Sequence, residues 1–203
     1  LPAHAGNAVR YIDLMGGRKP HIMRSYKNNM GAEAILHYKS STFFYLQDKK
    51  AGKPWITQLP FPVQCVEKVE AIDHIRQSRF TNHYTYHHGY YDFIEREFRG
   101  FGRVEQTDTE VFEDEFYQPP VLTKTWYHTG AFLEKEKILN QFAQEYYHNE
   151  VFAEYALPQP SLPDDYSIDE WREALRACKG MTLRVEVYSP DGRWIAYTQS
   201  VGG

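Results

Sequence analysis

Three histidines and four carboxylates crowd one short stretch of the sequence, HYTYHHGYYDFIEREFRGFGRVEQ, from His83 to Gln106. A metal is the first chemistry they suggest. Strand alternation puts His83 and His87 on one face and His88 on the other, so at most two would converge. No Cys or His follows at a zinc-like spacing, and His128 would have to come from a distant segment. Exposed or hydrogen-bonded strand histidines are the expectation. Glycoside hydrolysis is the second chemistry. Glu95 and Glu97 would share a strand face about 6–7 Å apart among aromatic rings. Charged residues on the wet face of a strand are routine, however, and Asp92 beside a turn is ordinary turn chemistry.

Other candidates fall on similar grounds. Gly100-Phe-Gly102 and Gly16-Gly17 open no helix and carry no Lys-Ser/Thr, so they are not phosphate loops. Ser40-Ser41 lacks the Gly-x-Ser-x-Gly setting of a hydrolase nucleophile. Cys65 sits in an apolar strand and Cys178 on a helix stripe, surroundings that argue against a reactive thiolate and for two free thiols. The acidic run Glu110 to Glu115 lacks the regular ligand spacing of a calcium loop. No catalytic, cofactor-binding or metal-ligating residue is therefore assigned, and no cofactor is expected.

The elements that hold these residues are mostly strands. Across 203 residues, 42% are hydrophobic, 25% charged and an unusual 16% aromatic, with sixteen tyrosines and twelve phenylalanines. Planar rings favour a pleated, half-buried surface. A net charge of −4 with scattered basic residues leaves no footprint for nucleic acid or anionic membrane. No apolar run approaches the roughly 18 residues of a membrane helix. The opening LPAHAGNAVR has neither an initiator Met nor a signal pattern, as expected of a piece of a longer chain.

Along the chain, Val9–Leu14 reads as a short strand. Ile22–Tyr26 and Ala32–Tyr38 form a hairpin around Lys27–Gly31, with Phe43–Leu46 continuing the second strand. Residues 47–62 form a Pro-rich loop. Val63–Ile72 is a strand, Phe80–Tyr86 another, and Gly89 turns the chain into Phe93–Phe98 and Val104–Thr109. The segment 110–118 reads as a loop before a strand from Val121 to His128, where Leu122 and Trp126 share a face. Two helices follow. One spans Leu133 to Tyr147, with apolar positions at Leu133, Ile138, Leu139, Phe142, Ala143 and Tyr146. After a linker at Pro158, Pro160 and Pro163, the other begins with a Ser167–Glu170 capping box, presents Ile168, Trp171, Leu175 and Cys178, and ends at Gly180. A last hairpin, Leu183–Tyr188 and Trp194–Gln199, turns at Ser189-Pro-Asp-Gly192 and leaves an edge without a partner in the sequence. Repeated strand–turn–strand units that cannot each bury a face belong to stacked or spiralling sheets.

Five runs carry a family resemblance: Tyr11-Ile-Asp-Leu-Met-Gly-Gly17, Lys53-Pro-Trp-Ile-Thr-Gln-Leu-Pro-Phe-Pro62, Tyr84-Thr-Tyr-His-His-Gly-Tyr-Tyr-Asp92, Arg96-Glu-Phe-Arg-Gly-Phe-Gly102 and Pro119-Pro-Val-Leu-Thr-Lys-Thr-Trp-Tyr-His-Thr-Gly130. They resemble the middle region of the B component of bacterial insecticidal Tc toxin complexes, from about Tyr11 to Gly192. Tyr-x-Tyr followed by Gly-x-Tyr-Asp also resembles the tyrosine-aspartate repeat of Rhs proteins. The resemblance implies a parent with an SpvB-like region, a β-propeller, this region and Rhs repeats. With the C component, such a parent forms a hollow β shell around a cytotoxic C-terminal segment, which later passes into the pore-forming A component. Autoproteolysis and the toxic enzyme belong to the C component, and none of their motifs occurs here.

The expected fold is mainly β: antiparallel hairpins in a curved Rhs-like sheet, with two α-helices on its outside or edge. The expected organisation is a β-rich region at 1–130, a helical insertion with Pro-rich linker at 131–180 and a β-hairpin at 181–203. The expected function is non-catalytic shell wall in a secreted toxin complex, made in the bacterial cytoplasm. Its partners would be the C component and, through the assembled B component, the A component, without nucleic acid or direct membrane insertion. The rival is a carbohydrate- or protein-binding β module using exposed aromatics.

Overall fold

A computed structural model describes residue 16 and residues 20–112, 120–148 and 165–199. The Val9–Leu14 strand, the rest of the acidic run beyond Phe112, and the Pro158–Pro163 linker lie outside the described residues. Among the described residues, eight strands form one antiparallel sheet whose spatial order is their chain order. They are β1 Ser25–Lys27, β2 Ala32–Ser40, β3 Gln64–Asp73, β4 Ser78–Asp92, β5 Glu97–Phe112, β6 Val121–Tyr127, β7 Thr182–Tyr188 and β8 Trp194–Gln199. Helix α1 (Ser41–Lys50) lies between β2 and β3, and helices α2 (Lys135–Glu145) and α3 (Ile168–Ala177) lie between β6 and β7. The mainly antiparallel β expectation holds, with three helices among the described residues in place of two.

The extra helix is α1, where an extension of the second strand and a loop to residue 62 were expected. Ser40–Ser41 is a helix start, not a break in a strand: the Ser40 side chain accepts the Thr42 N–H, and Lys49 and Lys50 occupy the last turn. Phe44 is buried and Phe43 exposed, so the aromatic pair that suggested a strand divides between two sides of a helix.

Gly89 does not turn the chain. β4 passes straight through it to Asp92, and Gly89 pairs with Phe101. Its missing side chain permits close packing: a Cβ there would lie 2.8 Å from Trp55 and 2.9 Å from Leu59. The turn comes later, at 93–96. Asp92 Oδ1 accepts the backbone N–H groups of Ile94 and Glu95, and Arg96 takes φ +54°. Phe93–Arg96 is thus turn, not strand. The two strands expected at 93–98 and 104–109, with the start of the 110–118 loop, merge into the 16-residue β5.

β3 pairs with β4 only from Lys68↔His83 to Asp73↔Ser78. Beyond that, residues 56–58 cover the freed edge of β4. Thr57 Oγ1 donates to Gly89 O, Tyr91 N donates to Gln58 O, and Ile56 N donates to His88 Nδ1. This places one core cluster, Phe44, Trp55 and Cys65, beside α1. The second cluster, Tyr90, Trp126, Ala131, Ile138 and Phe142, lies under α2. The α2 stripe runs through Ile138, Leu139, Phe142 and Tyr146, while Leu133 is exposed and precedes the helix.

The capping box of α3 forms as expected. Ser167 Oγ accepts the Glu170 N–H, and Glu170 Oε2 accepts the Ser167 N–H at 2.8 Å. Leu175 is buried, Cys178 half-buried and Ile168 exposed, so the apolar stripe starts later than its sequence pattern. Ser167→Ala is expected to lower stability by about 1 kcal/mol, the usual cost of an N-cap, seen as a lower urea midpoint with unchanged slope.

Candidate functional site

Of the histidines and carboxylates singled out in the sequence, His87 and His88 meet helix carboxylates beside β4, whereas Asp92, Glu95 and Glu97 fall in a separate cluster at the β4–β5 turn. His88 adopts φ +55°, which breaks strand alternation. Both His87 and His88 are therefore buried, each against a different helix, while His83 stays exposed. The expected separation of His87 and His88 onto opposite, independent faces fails for this reason. His87 Nδ1 lies 2.6 Å from Asp48 Oδ2 of α1, which also accepts Trp55 Nε1–H at 2.6 Å. His88 Nε2 lies 2.8 Å from Glu145 Oε1 of α2.

Glu145 is the centre of this network. It also accepts hydrogen bonds from Arg103 Nη1 at 2.7 Å, Gln141 Nε2 at 2.9 Å and Trp126 Nε1 at 3.3 Å. Burial alone would push its pKa up. The hydrogen bond from His88, the positive charge of Arg103 and the Gln141 amide outweigh burial and hold the carboxyl at about 2.

A second cluster pins the β4–β5 turn to the start of the helical segment. The Arg99 side chain is fully buried, with Nη2 3.0 Å from Asp92 Oδ2, Nε 3.4 Å from Glu97 Oε2 and Nη1 donating to Gly130 O. Gly130 takes φ +67°, and a Cβ there would meet Leu175 O at 3.0 Å. His128 accepts the Gly130 N–H on Nδ1, and burial, then the charge of Lys135, lowers its pKa. Glu97 meets Lys179 at 2.6 Å and Arg176 at 3.4 Å, while Glu95 meets Arg172 at 3.2 Å. The Lys179 hydrogen bond and neighbouring cations hold the Glu97 carboxyl below its usual range. A glycosidase general acid requires the opposite shift. Glu95 also lies in the turn, so these two carboxylates are not the same-face strand pair their spacing suggested.

A third cluster joins the end of α2 to β7. Glu186 is fully buried and accepts from Arg184 Nε at 2.6 Å, Tyr188 Oη at 2.6 Å and Tyr147 N at 2.9 Å. The Arg184 guanidinium lies 4.7 Å from the Tyr146 ring centroid and 4.5 Å from that of Tyr197.

Among the described residues, no group of three or more His, Cys, Asp or Glu side chains is placed to hold a metal. Cys65 and Cys178 are free thiols, and burial pushes the Cys65 thiol up to about 12. A cleft of about 680 Å³ opens between α1 and the following loop, lined in part by Tyr45, Trp55, Leu59, Phe61 and Lys137. The three clusters share one property: each ties a helix or its flank to the sheet through charged side chains, the first two by charged contacts between segments and the third by the Tyr147 N–H on Glu186 and Arg184 over the Tyr146 ring. They act as fasteners. Sequence spacing gave no sign of Asp48, Arg103, Glu145 or Glu186 as members, because each partner arrives from a distant segment.

Residues 8–130 match the family described as the insecticide toxin TcdB middle/N-terminal region. The chain belongs to this family. The chain is similar to one in the crystal structure of TcdB2-TccC3-TEV, with 33% identity and a TM-score of 0.71 over 86% of its length. It matches the Photorhabdus luminescens Tc holotoxin pore with a mutated TccC3 at 33% identity and TM-score 0.69, over 85% of its length. It also matches TcdB2-TccC3 without the hypervariable C-terminal region at 32% identity and TM-score 0.67, over 82%. It covers only 9%, 8% and 8% of those chains, respectively. A comparison with curated proteins gives no match.

Proposed function

We propose that this chain is a non-catalytic wall segment of a toxin B component, part of a β shell that encloses a cytotoxic C-terminal cargo before its translocation. Its partners are the C component and, through the complete B component, the pore-forming A component, in a secreted complex. The observation that carries this reading is the alignment of 86% of the chain, at 33% identity, with a TcdB2-TccC3 structure. The architecture suits it. Strands that follow one another across the sheet make a wall that grows by adding hairpins. The edges at β1 and β8 are the places where such a wall would continue. Within this reading the chain divides into the β-rich region 1–130, the helical insertion 131–180, which intervenes between neighbouring strands β6 and β7, and the hairpin 181–203.

The test is limited proteolysis of the complete B component assembled with its C component. The C-terminal region of the C component is expected to resist digestion until the complex is denatured. Digestion at the rate of the free C component contradicts the proposal.

A further inference from the structure

Among the described residues three histidines are buried, and their surroundings divide them by what an added proton would do. His87 and His88 face carboxylates, Asp48 at 2.6 Å and Glu145 at 2.8 Å. The exposed His37 and His74 do the same with Glu70 and Glu33. A proton on any of these rings meets an anion, so it tightens the contact. His128 differs. Its ring meets a backbone donor and a lysine: Nδ1 accepts the Gly130 N–H at 2.9 Å, and Lys135 is the charged group that acts on it. Accepting on Nδ1 requires the neutral ring, with its proton on Nε2.

His128 follows β6 directly and closes the root of the segment that carries α2 and α3. Its N–H donates to Met181 O and its carbonyl accepts the Gly180 N–H, both at 2.8 Å. Its ring then holds Gly130 by the N–H, while Arg99 Nη1 donates to Gly130 O. Gly130 is gripped at both polar groups in a left-handed conformation, with Leu175 O of α3 beside it. Ala131, the next residue, belongs to the core cluster with Ile138 and Phe142 of α2. Displacing Gly130 therefore disturbs the seats of both helices. His128 to Ala131 are all buried, so a new charge there has little water to stabilise it.

We infer that His128 is an acid-sensitive latch: protonation of its ring releases Gly130 and loosens the α2–α3 segment while the strands stay paired. The added proton turns Nδ1 from an acceptor into a donor that faces the Gly130 N–H. The Lys135 cation opposes the new charge, and the neighbouring Glu134 lies 3.8 Å from Lys137. The carboxylates of the adjoining cluster are engaged as well. Arg99 meets Asp92 and Glu97, and Glu97 also meets Arg176 and Lys179. Burial, then Lys135, lowers the ring's pKa below the ordinary 6.5, so the open form takes up the proton first. The latch is at full strength above pH 6.5 and weakens as pH falls below it. Glu145 and Glu97 remain ionised through that window, because both carboxyls are held below the ordinary 4.5. Acid of this strength thus loosens the segment without unfolding the sheet. The inference is independent of the wall function proposed above.

Hydrogen–deuterium exchange of the complete B component, followed by mass spectrometry as pH is lowered from neutral, tests it. After correction for intrinsic exchange rates, peptides covering residues 128–131 and 177–181 should open about tenfold more per pH unit below 6.5, the slope of one proton. Peptides within β4 and β5 should show no such slope. His128→Asn should abolish it, because the amide oxygen takes the place of Nδ1, accepts the Gly130 N–H and does not titrate. His128→Gln, equally without a titrating group, is the second variant should the first not fold. A flat wild-type profile, a slope that persists in either variant, or one shared equally by β4 and β5 overturns the inference. If neither variant folds, the wild-type contrast between the root peptides and the strands decides it.

Discussion

Phe142→Ala is expected to cost about 3–5 kcal/mol of folding stability, measured by urea unfolding. Phe142 is 0% exposed and is packed in the core cluster with Tyr90, Trp126, Ala131 and Ile138. Its ring fills the space over Gly102, where a Cβ would lie 2.5 Å from Phe142 Cζ, and its centroid is 5.9 Å from that of His88. The surrounding wall cannot collapse into the vacated volume, because Gly102 and His88 belong to strands fixed by their ladders. Phe93→Ala, at an exposed turn position, is the control and should change stability by no more than about 0.5 kcal/mol. A loss below about 1 kcal/mol for Phe142→Ala would show that α2 is not a structural part of the folded sheet.

Acid is expected to weaken the fold through Glu145. Its carboxyl titrates at an ordinary 4.5 when unfolded and at about 2 when folded. Between those values the unfolded chain binds the proton and the folded chain does not, so stability falls as pH falls. The contribution is fully present above pH 4.5 and is lost toward pH 2. The displacement from 4.5 to about 2 corresponds to about 3 kcal/mol. Glu145→Gln should remove most of that acid dependence. Glu145→Ala should cost about 3–5 kcal/mol even at neutral pH, because it leaves the buried His88 without its carboxylate and the half-buried Arg103 with only Glu105, 3.5 Å away. Urea unfolding at a series of pH values checks both. An unchanged acid slope in Glu145→Gln would place the acid sensitivity elsewhere.

The local signals in the sequence were sound where one segment sufficed to set the structure. The capping box at Ser167 and the turn at Ser189–Gly192 needed only neighbours, and both stand, with Ser189 O accepting the Gly192 N–H. Trp126 was legible as a buried strand residue because its alternation matched the pleat. Gly89 was misread because glycine serves two purposes, and only the approach of Trp55 and Leu59, from distant positions in the chain, reveals which one applies. α1 was missed because aromatic β-formers fill it, while tertiary packing of Phe44 and the Ser40 cap decide its form. The histidines read as ordinary strand residues. The left-handed backbone of His88, which turns the pair toward two helices, leaves no trace in residue spacing.

A cryo-EM map of the complete B component bound to its C component tests the central claim most directly. The claim predicts the eight strands in the order β1 to β8 as one continuous piece of the shell wall. The outer edges of β1 and β8 should be hydrogen-bonded to further strands, and α2 should lie on the side away from the lumen. A map in which this sheet stands outside the wall with both edges free, or in which α2 projects into the lumen, would contradict it.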